Sequence, residues 1–353
     1  MKRRNRYALR QRTHLLASAS LVVALLASCA TGPRTSPPQG ASNPAGDVNP
    51  QGAAGEFAAL APGALAYIAV DVRRSRPILD RLSLGGFSGR QAADLLDKTD
   101  SAAAAVYPPF SPRTFLIAAR GSYPAFRAAL SFALSSAWKR TRSPEGGFYW
   151  RSSLQGLSVA LDKRRAFVSD GDPFTLPPGA EAPEPYGALR RGALLAGWSD
   201  YGGTSLNQFL ASLGLPLRFP ADRIIFAVHE FPAGGEPWGY QAALRIETPS
   251  VSHAKGLTAL FSLARIFLAR LPPEAGEGPP GQEAPSDRPL GLEDPLGLAG
   301  ALAMEDLMGL AEALFANSPV QDGPALLVRT GPLDAAGIAL LFSMLSLYSP
   351  YSP

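Results

Sequence analysis

Gly63-Ala64-Leu65-Ala66-Tyr67-Ile68-Ala69-Val70-Asp71 has a counterpart 129 residues later, Gly192-Ala193-Leu194-Leu195-Ala196-Gly197-Trp198-Ser199-Asp200. Each run is apolar, too short for a typical helix, and closed by an aspartate, so each reads as a buried strand handing over to a turn. The segments after the two runs are similar in order. Beyond Asp71, Ser75 stands as N-cap to a helix with Pro77 in its first turn and Ile78, Leu79 and Leu82 toward the core. Strand-like residues 102–107 pass through a Pro-rich loop into 114–119, a pattern that suits an antiparallel pair. Residues 123–138 then read as a helix with Phe126, Leu130, Ala133, Leu134 and Ala137 along one face. Short strands are expected at 148–151, 157–161 and 166–169.

After Asp200 the series restarts. Residues 204–213 suit a capped helix, 223–230 and 240–246 suit strands around a Pro/Gly loop, and Ser250 opens a helix through 271. Helices at 304–316 and 333–347 flank a strand at 325–329. The shared order predicts an internal duplication. Each unit resembles a split βαβ, or ferredoxin-like, module, which implies an α+β fold with antiparallel sheets and helices on one face. The expected modules are residues 58–186 and 187–353, with 272–300, rich in Pro, Gly and acidic residues, as a disordered insertion.

The first residues speak to location. Residues 1–14 carry six Lys and Arg and no acid, 15–28 are apolar but short of the roughly 20 residues a membrane span needs, and Leu26-Ala27-Ser28-Cys29 follows. This stretch resembles the type II signal peptide and lipobox of bacterial lipoproteins. The resemblance implies removal of residues 1–28, diacylglyceryl attachment to the Cys29 thiol, acylation of the new amino terminus, and a cell-envelope location. Residues 29–57 then form a tether, since its Pro, Gly, Ser and Asn cannot bury enough surface to offset the entropy of ordering. Its 27 residues from 30 to 56 give a mean reach of roughly 30 Å.

Net charge changes with that cut. The whole chain has 33 Lys and Arg against 29 Asp and Glu, but six of the cations lie in the signal, so the remainder is near −2. A nucleic-acid partner is therefore not expected. Cys29 is the single cysteine, which excludes an intrachain disulfide and a cysteine metal cluster.

No reaction is written in the motifs. His229-Glu230 lacks the second histidine of a zinc-protease helix, and His253 falls in a helix's first turn. Gly197-Trp198-Ser199-Asp200-Tyr201 misses the second glycine of a nucleophile elbow, so Ser199 reads as a strand residue. Asp170-Gly171-Asp172 has too few oxygen ligands for a calcium loop and reads as a polar turn. No catalytic residue, cofactor or metal is assigned. Asp71 and Asp200, paired by the repeat, and the loop-proximal Trp150, Trp198 and Trp238 are the candidate ligand or partner contacts. The expected function is a membrane-anchored, non-catalytic envelope lipoprotein whose partner is another envelope component. An envelope hydrolase with dispersed site residues and a solute-binding lipoprotein of a transporter are the alternatives.

Overall fold

The computed structural model describes residues 57–81, 96–108, 111–153, 156–175, 179–200, 203, 207, 220–231, 239–268, 304–339 and 341. Its strands are β1 Ala66–Asp71, β2 Thr99–Val106, β3 Phe115–Gly121, β4 Trp138–Arg142, β5 Phe148–Ser152 and β6 Ser158–Leu161. They continue with β7 Arg165–Ser169, β8 Leu195–Ser199, β9 Arg223–Phe231, β10 Gly239–Glu247, β11 Val320–Asp322 and β12 Ala325–Arg329. The helices are α1 Arg76–Leu79, α2 Ala125–Leu134, α3 Glu184–Arg190, α4 Val251–Leu268 and α5 Met304–Phe315.

The two similar apolar runs lie side by side. β1 and β8 pair antiparallel, with Ala66 opposite Ser199 and Val70 opposite Leu195. Outward from them the order is β2-β3-β7-β6-β5-β4 on one side and β9-β10-β12-β11 on the other, in one twelve-stranded sheet. All the ladders are antiparallel. The α+β class and the antiparallel sheet are as expected; the separate sheets are not, because the β1–β8 ladder fuses them. Nor is either half a ferredoxin-like module. A split βαβ joins two parallel strands with a third between them, whereas β1 and β2, linked across α1, are direct antiparallel neighbours. Both sides of β1 are occupied, by β2 and β8, so no strand can be inserted beside it. A split crossover does occur once among the described strands, where β10 reaches β11 through α4 and α5 with β12 between them.

Alternation along the strands divides the core into two layers. On one face Val70, Leu195, Phe226, Val228, Tyr240 and Ala242 meet Ile78 of α1, Leu310 of α5, and Ile338 and Leu341. The same face carries α2 through Ala128 and Phe132 against Phe115, Val159 and Val168. It carries α4 through Leu257 against Ile246, Leu326 and Val328. The opposite face is covered at its centre by residues 57–64 and by α3, which supplies Tyr186. Helices on one face alone is thus corrected by α3.

Three local readings also change. Ser75 makes no capping bond; it is wholly buried, and its hydroxyl donates to the Leu194 carbonyl at 3.1 Å, tying α1 to the second half. Helix α2 ends four residues before Trp138, which starts the unexpected strand β4. The stripe of α2 that faces the core is Ala128 and Phe132, while Phe126 and Leu134 are each 80% exposed and Leu130 is 50% exposed. Small Ala128 lets the helix approach the sheet, and the Phe132 ring lies 4.7 Å from that of Trp138 and 5.7 Å from that of Trp150. The expected helix at 204–213, the insertion at 272–300 and the end of the last helix lie outside the described residues or largely so. Among the described residues no helix is long and apolar enough to cross a membrane.

Gly197 sits midway along the central ladder, opposite Ile68. A Cβ there would stand 2.2 Å from the Tyr67 carbonyl oxygen and 2.7 Å from the Phe226 ring. Backbone cannot yield as a side-chain tip can, so Gly197→Ala is expected to cost about 1–3 kcal/mol of overpacking strain. Chemical denaturation of the variant, with an unchanged midpoint counting against this packing, measures it.

Candidate functional site

The middle of the face under residues 57–64 is built from aromatic side chains. Tyr67 on β1 and Trp198 on β8 are register partners, and their rings stack at 4.5 Å with planes 23° apart. Phe57 closes on Trp198 edge-on at 4.7 Å, and Tyr186 of α3 meets Trp198 at 5.2 Å. All four are buried. Such offset and edge contacts add roughly 0.5–1.5 kcal/mol each beyond the apolar area removed from water.

Polar tips of two tyrosines fasten the incoming segment. Tyr67 and Tyr107 both donate their hydroxyls to the Ala61 carbonyl, at 2.9 and 3.0 Å. The Ala61 amide donates to the Tyr107 oxygen and the Ala64 amide to the Tyr67 oxygen, each at 3.0 Å. The segment thereby has backbone groups of Ala61 and Ala64 satisfied by side chains, while the Leu60 carbonyl accepts from the amides of Gly179 and Ala180, as buried backbone requires. Burial is the main cause that raises the Tyr67 phenol and pushes that of Tyr107 up to about 12, and the field of Tyr67 adds to the latter.

Arg113 lies beside this clamp and is the outlier of the core. It is 2% exposed, donates from Nη1 to the Pro173 carbonyl at 3.2 Å, and has Nε and Nη2 without hydrogen-bond partners. Burial lowers its pKa, against the opposing fields of Tyr107, Asp172 and Asp170.

The residues singled out from sequence do not converge. Asp71 and Asp200 follow opposite ends of the antiparallel β1–β8 ladder, because equivalent strands that pair antiparallel send equivalent residues to opposite edges. Asp71 accepts from the Arg74 amide at 3.2 Å, and Asp200 pairs with Arg223. Trp198 is core rather than contact surface, at 3% exposure. Trp150 is half-buried beneath α2, and Trp238, Tyr201 and Cys29 lie outside the described residues. The Ser199 hydroxyl donates to the Leu65 carbonyl at 2.9 Å. His229 on β9 has its pKa lowered by burial and then by the field of Arg329, while a hydrogen bond with the Leu189 backbone opposes both. His253 sits at the start of α4, its Nδ1 3.0 Å from the Ser250 hydroxyl. Asp170 accepts from the amides of Thr114 and Phe115, and Asp172 from that of Phe174, so this acidic turn fastens loops.

A shallow hollow of about 370 Å³ opens between Asp222, Arg223, Arg245, Glu247, Thr248 and Pro324. Its two arginines are already engaged, Arg223 with Asp200 and Glu247, Arg245 with Glu247 and Asp322. Among the described residues no group of three or more His, Cys, Asp or Glu is placed to hold a metal ion. Sequence reading missed the clamp. Its available signal was two tyrosines, Tyr67 and Tyr107, each within an otherwise apolar or small-residue stretch.

No protein-family model and no curated protein matches the chain. Solved structures do. Crystal form III of TP0453 superposes with a TM-score of 0.50 at 14% identity, over 82% of this chain and 97% of that one. Crystal form IV gives a TM-score of 0.50 at 14% identity, over 83% and 98%. At this identity the likeness is one of fold, and it extends over nearly the full length of the solved chain.

The clamp has a pH signature. A phenol whose pKa is higher folded than unfolded holds its proton more tightly in the fold. Its contribution to stability is whole below the ordinary value of 10 and is lost as pH rises toward 12. Tyr123, buried and also pushed up to about 12, behaves alike. Unfolding free energy is expected to fall between pH 10 and 12, with a shallower fall in Tyr107→Phe. Denaturant titrations followed at the tyrosinate absorbance check this.

Proposed function

We propose that the chain is a lipid-anchored protein of the bacterial envelope whose body works by binding, with acylated Cys29 as its attachment to the membrane. The observation that carries this reading is the junction at Phe57. A basic stretch, an apolar stretch, Leu26-Ala27-Ser28-Cys29 and 27 residues of tether composition lead directly to a phenylalanine that is fully buried. A tether is useful only if one end is held, and Phe57 with the tyrosine-clamped Ala61 supplies that hold. A binding role is further supported by how the candidate polar groups are used, since Ser199, Asp71, Asp170 and Asp172 all make structural bonds. Replacing Cys29 by Ser is expected to abolish lipid labelling and leave residues 1–28 uncleaved by lipoprotein signal peptidase. Radiolabelled palmitate incorporation and the mass of the cell-derived protein read this out, and normal labelling of the variant would exclude the anchor.

The body is best read as two copies of one design. The outward orders β1-β2-β3-β7-β6 and β8-β9-β10-β12-β11 match strand for strand, with a helix following β3 and β10 alike. The 129-residue offset also makes Ile68 and Gly197 equivalent, and these two face each other in the central ladder. That is the register expected if a local two-fold axis relates the copies. On this reading residues 29–186 and 187–353, co-expressed as separate chains, associate into a one-to-one complex through β1 and β8. Two chains that never co-purify while each stays soluble would count against it.

A further inference from the structure

We infer that the β4 end of the sheet docks on an anionic lipid surface, an inference that rests on the anchoring proposed above and names what the tethered body touches. Charge on this chain is segregated. Residues 120–165 hold nine Lys and Arg against Glu145 and Asp162, a net +7. The rest of 29–353 holds 18 Lys and Arg against 27 Asp and Glu, a net −9. The stretch folds as one wing, from the end of β3 through α2 to the start of β7, with β4 as its outermost strand. Outside the wing, Arg73, Arg74, Arg76, Arg223 and Arg245 all form ion pairs, the last two in a chain from Asp200 through Arg223, Glu247 and Arg245 to Asp322. Within the wing, one ion pair forms among the described residues, between Arg165 and Asp162.

The wing also exposes large apolar groups where a solvated basic face would have none. Phe126, Leu130 and Leu134 form an i, i+4, i+8 ridge on α2, on the side away from the sheet. Register puts Arg140, Arg142 and Phe148 on the sheet face that α2 covers. There Phe148, 53% exposed, has the Arg140 guanidinium 4.3 Å and that of Arg142 5.9 Å from its ring centre. Exposed cations interleaved with exposed Phe and Leu suit the headgroup boundary of an anionic bilayer, which receives both at once. A purely polar polyanion would leave the ridge in water. The tether adds the decisive bias, because a body held within roughly 30 Å of a membrane meets that surface at high effective concentration.

The test uses the chain from residue 29 with Cys29→Ser, so that no lipid of its own contributes, and vesicles of phosphatidylcholine with or without about 30% phosphatidylglycerol. Co-sedimentation is expected with the anionic vesicles, weakening as salt is raised from about 0.05 to 0.5 M. Arg140→Glu with Arg142→Glu, and separately Phe126→Ser with Leu134→Ser, should each lower the partition coefficient about tenfold or more. These four side chains are solvent-facing, and a melting curve confirms that each variant folds. Lys255→Glu, an exposed reversal on α4 outside the wing, should change binding by less than about threefold. Equal binding to neutral vesicles, wing variants that bind like the parent, or a Lys255→Glu loss as large as theirs would overturn the proposal. Retention on immobilised polyglutamate without vesicle binding would also overturn it, in favour of an acidic protein partner. Since acylation plays no part in the assay, a failed anchor at Cys29 would leave its outcome untouched.

Discussion

The stack of Tyr67 on Trp198 crosses the ladder that joins the two halves of the sheet, and much of the molecule is arranged around keeping it dry. Five register pairs and this aromatic contact are what turn two sets of strands into one sheet. A bare hydrogen-bonded ladder contributes little net free energy, because water competes for the same groups. Burial of large aromatic surface is what makes the junction persist. Phe57 and Tyr186 complete the enclosure from outside the sheet, one from the segment before β1 and one from α3. On the other face Ser75 reaches the Leu194 carbonyl, so α1 is also held by the partner half.

Strands are well marked in the sequence where short apolar runs lie between loops, and β2, β3, β9, β10 and β12 fall close to their expected places. Pairing between distant strands is not legible. The two similar runs announce two similar strands, yet nothing in Gly63–Asp71 states that it will pair with the second run rather than close a separate sheet. Strand β4 is hidden because Trp138-Lys139-Arg140-Thr141-Arg142 has almost no apolar content, which is normal for an edge. Helix α2 shows a different limit. Its sequence carries two apolar stripes, Phe126/Leu130/Leu134 and Ala128/Phe132, and hydrophobicity favours the first. The chain buries the second, since Ala128 permits close approach and Phe132 fits against Trp138 and Trp150. Periodicity locates a stripe but not the packing partner that decides between two.

Burial decides which candidate contacts survive. Trp198 stands near a strand end with polar neighbours, as a contact residue would, but the neighbouring Tyr67 and the arriving Phe57 remove it from any surface. Asp71 and Asp200 stand out in the sequence because they close the two similar runs. The antiparallel pairing of those runs separates the two aspartates by the length of the ladder, roughly 20 Å at about 3.4 Å per residue. Two similar runs that pair antiparallel bring together only the residues at their middles, where Ile68 and Gly197 stand.

Among the described residues the sheet is open, with β4 and β11 as its edges, and an edge strand is a template for pairing with another chain. The edges here are managed unequally. β11 is three residues long, too short to recruit a partner strand with much strength. β4 is longer and carries Lys139, Arg140 and Arg142, cations that discourage a second copy of itself from pairing alongside. That protection costs the wing its electrostatic balance, and the imbalance has a physical consequence. The same charges that repel another β4 edge attract any anionic surface within about a Debye length, roughly 8–10 Å at ordinary ionic strength. Edge protection alone, however, gives no reason for Phe126, Leu130 and Leu134 to remain in water on the helix above. An apolar ridge and a guarded edge on one wing are better explained together, by a surface that accepts hydrophobic side chains as readily as positive charge.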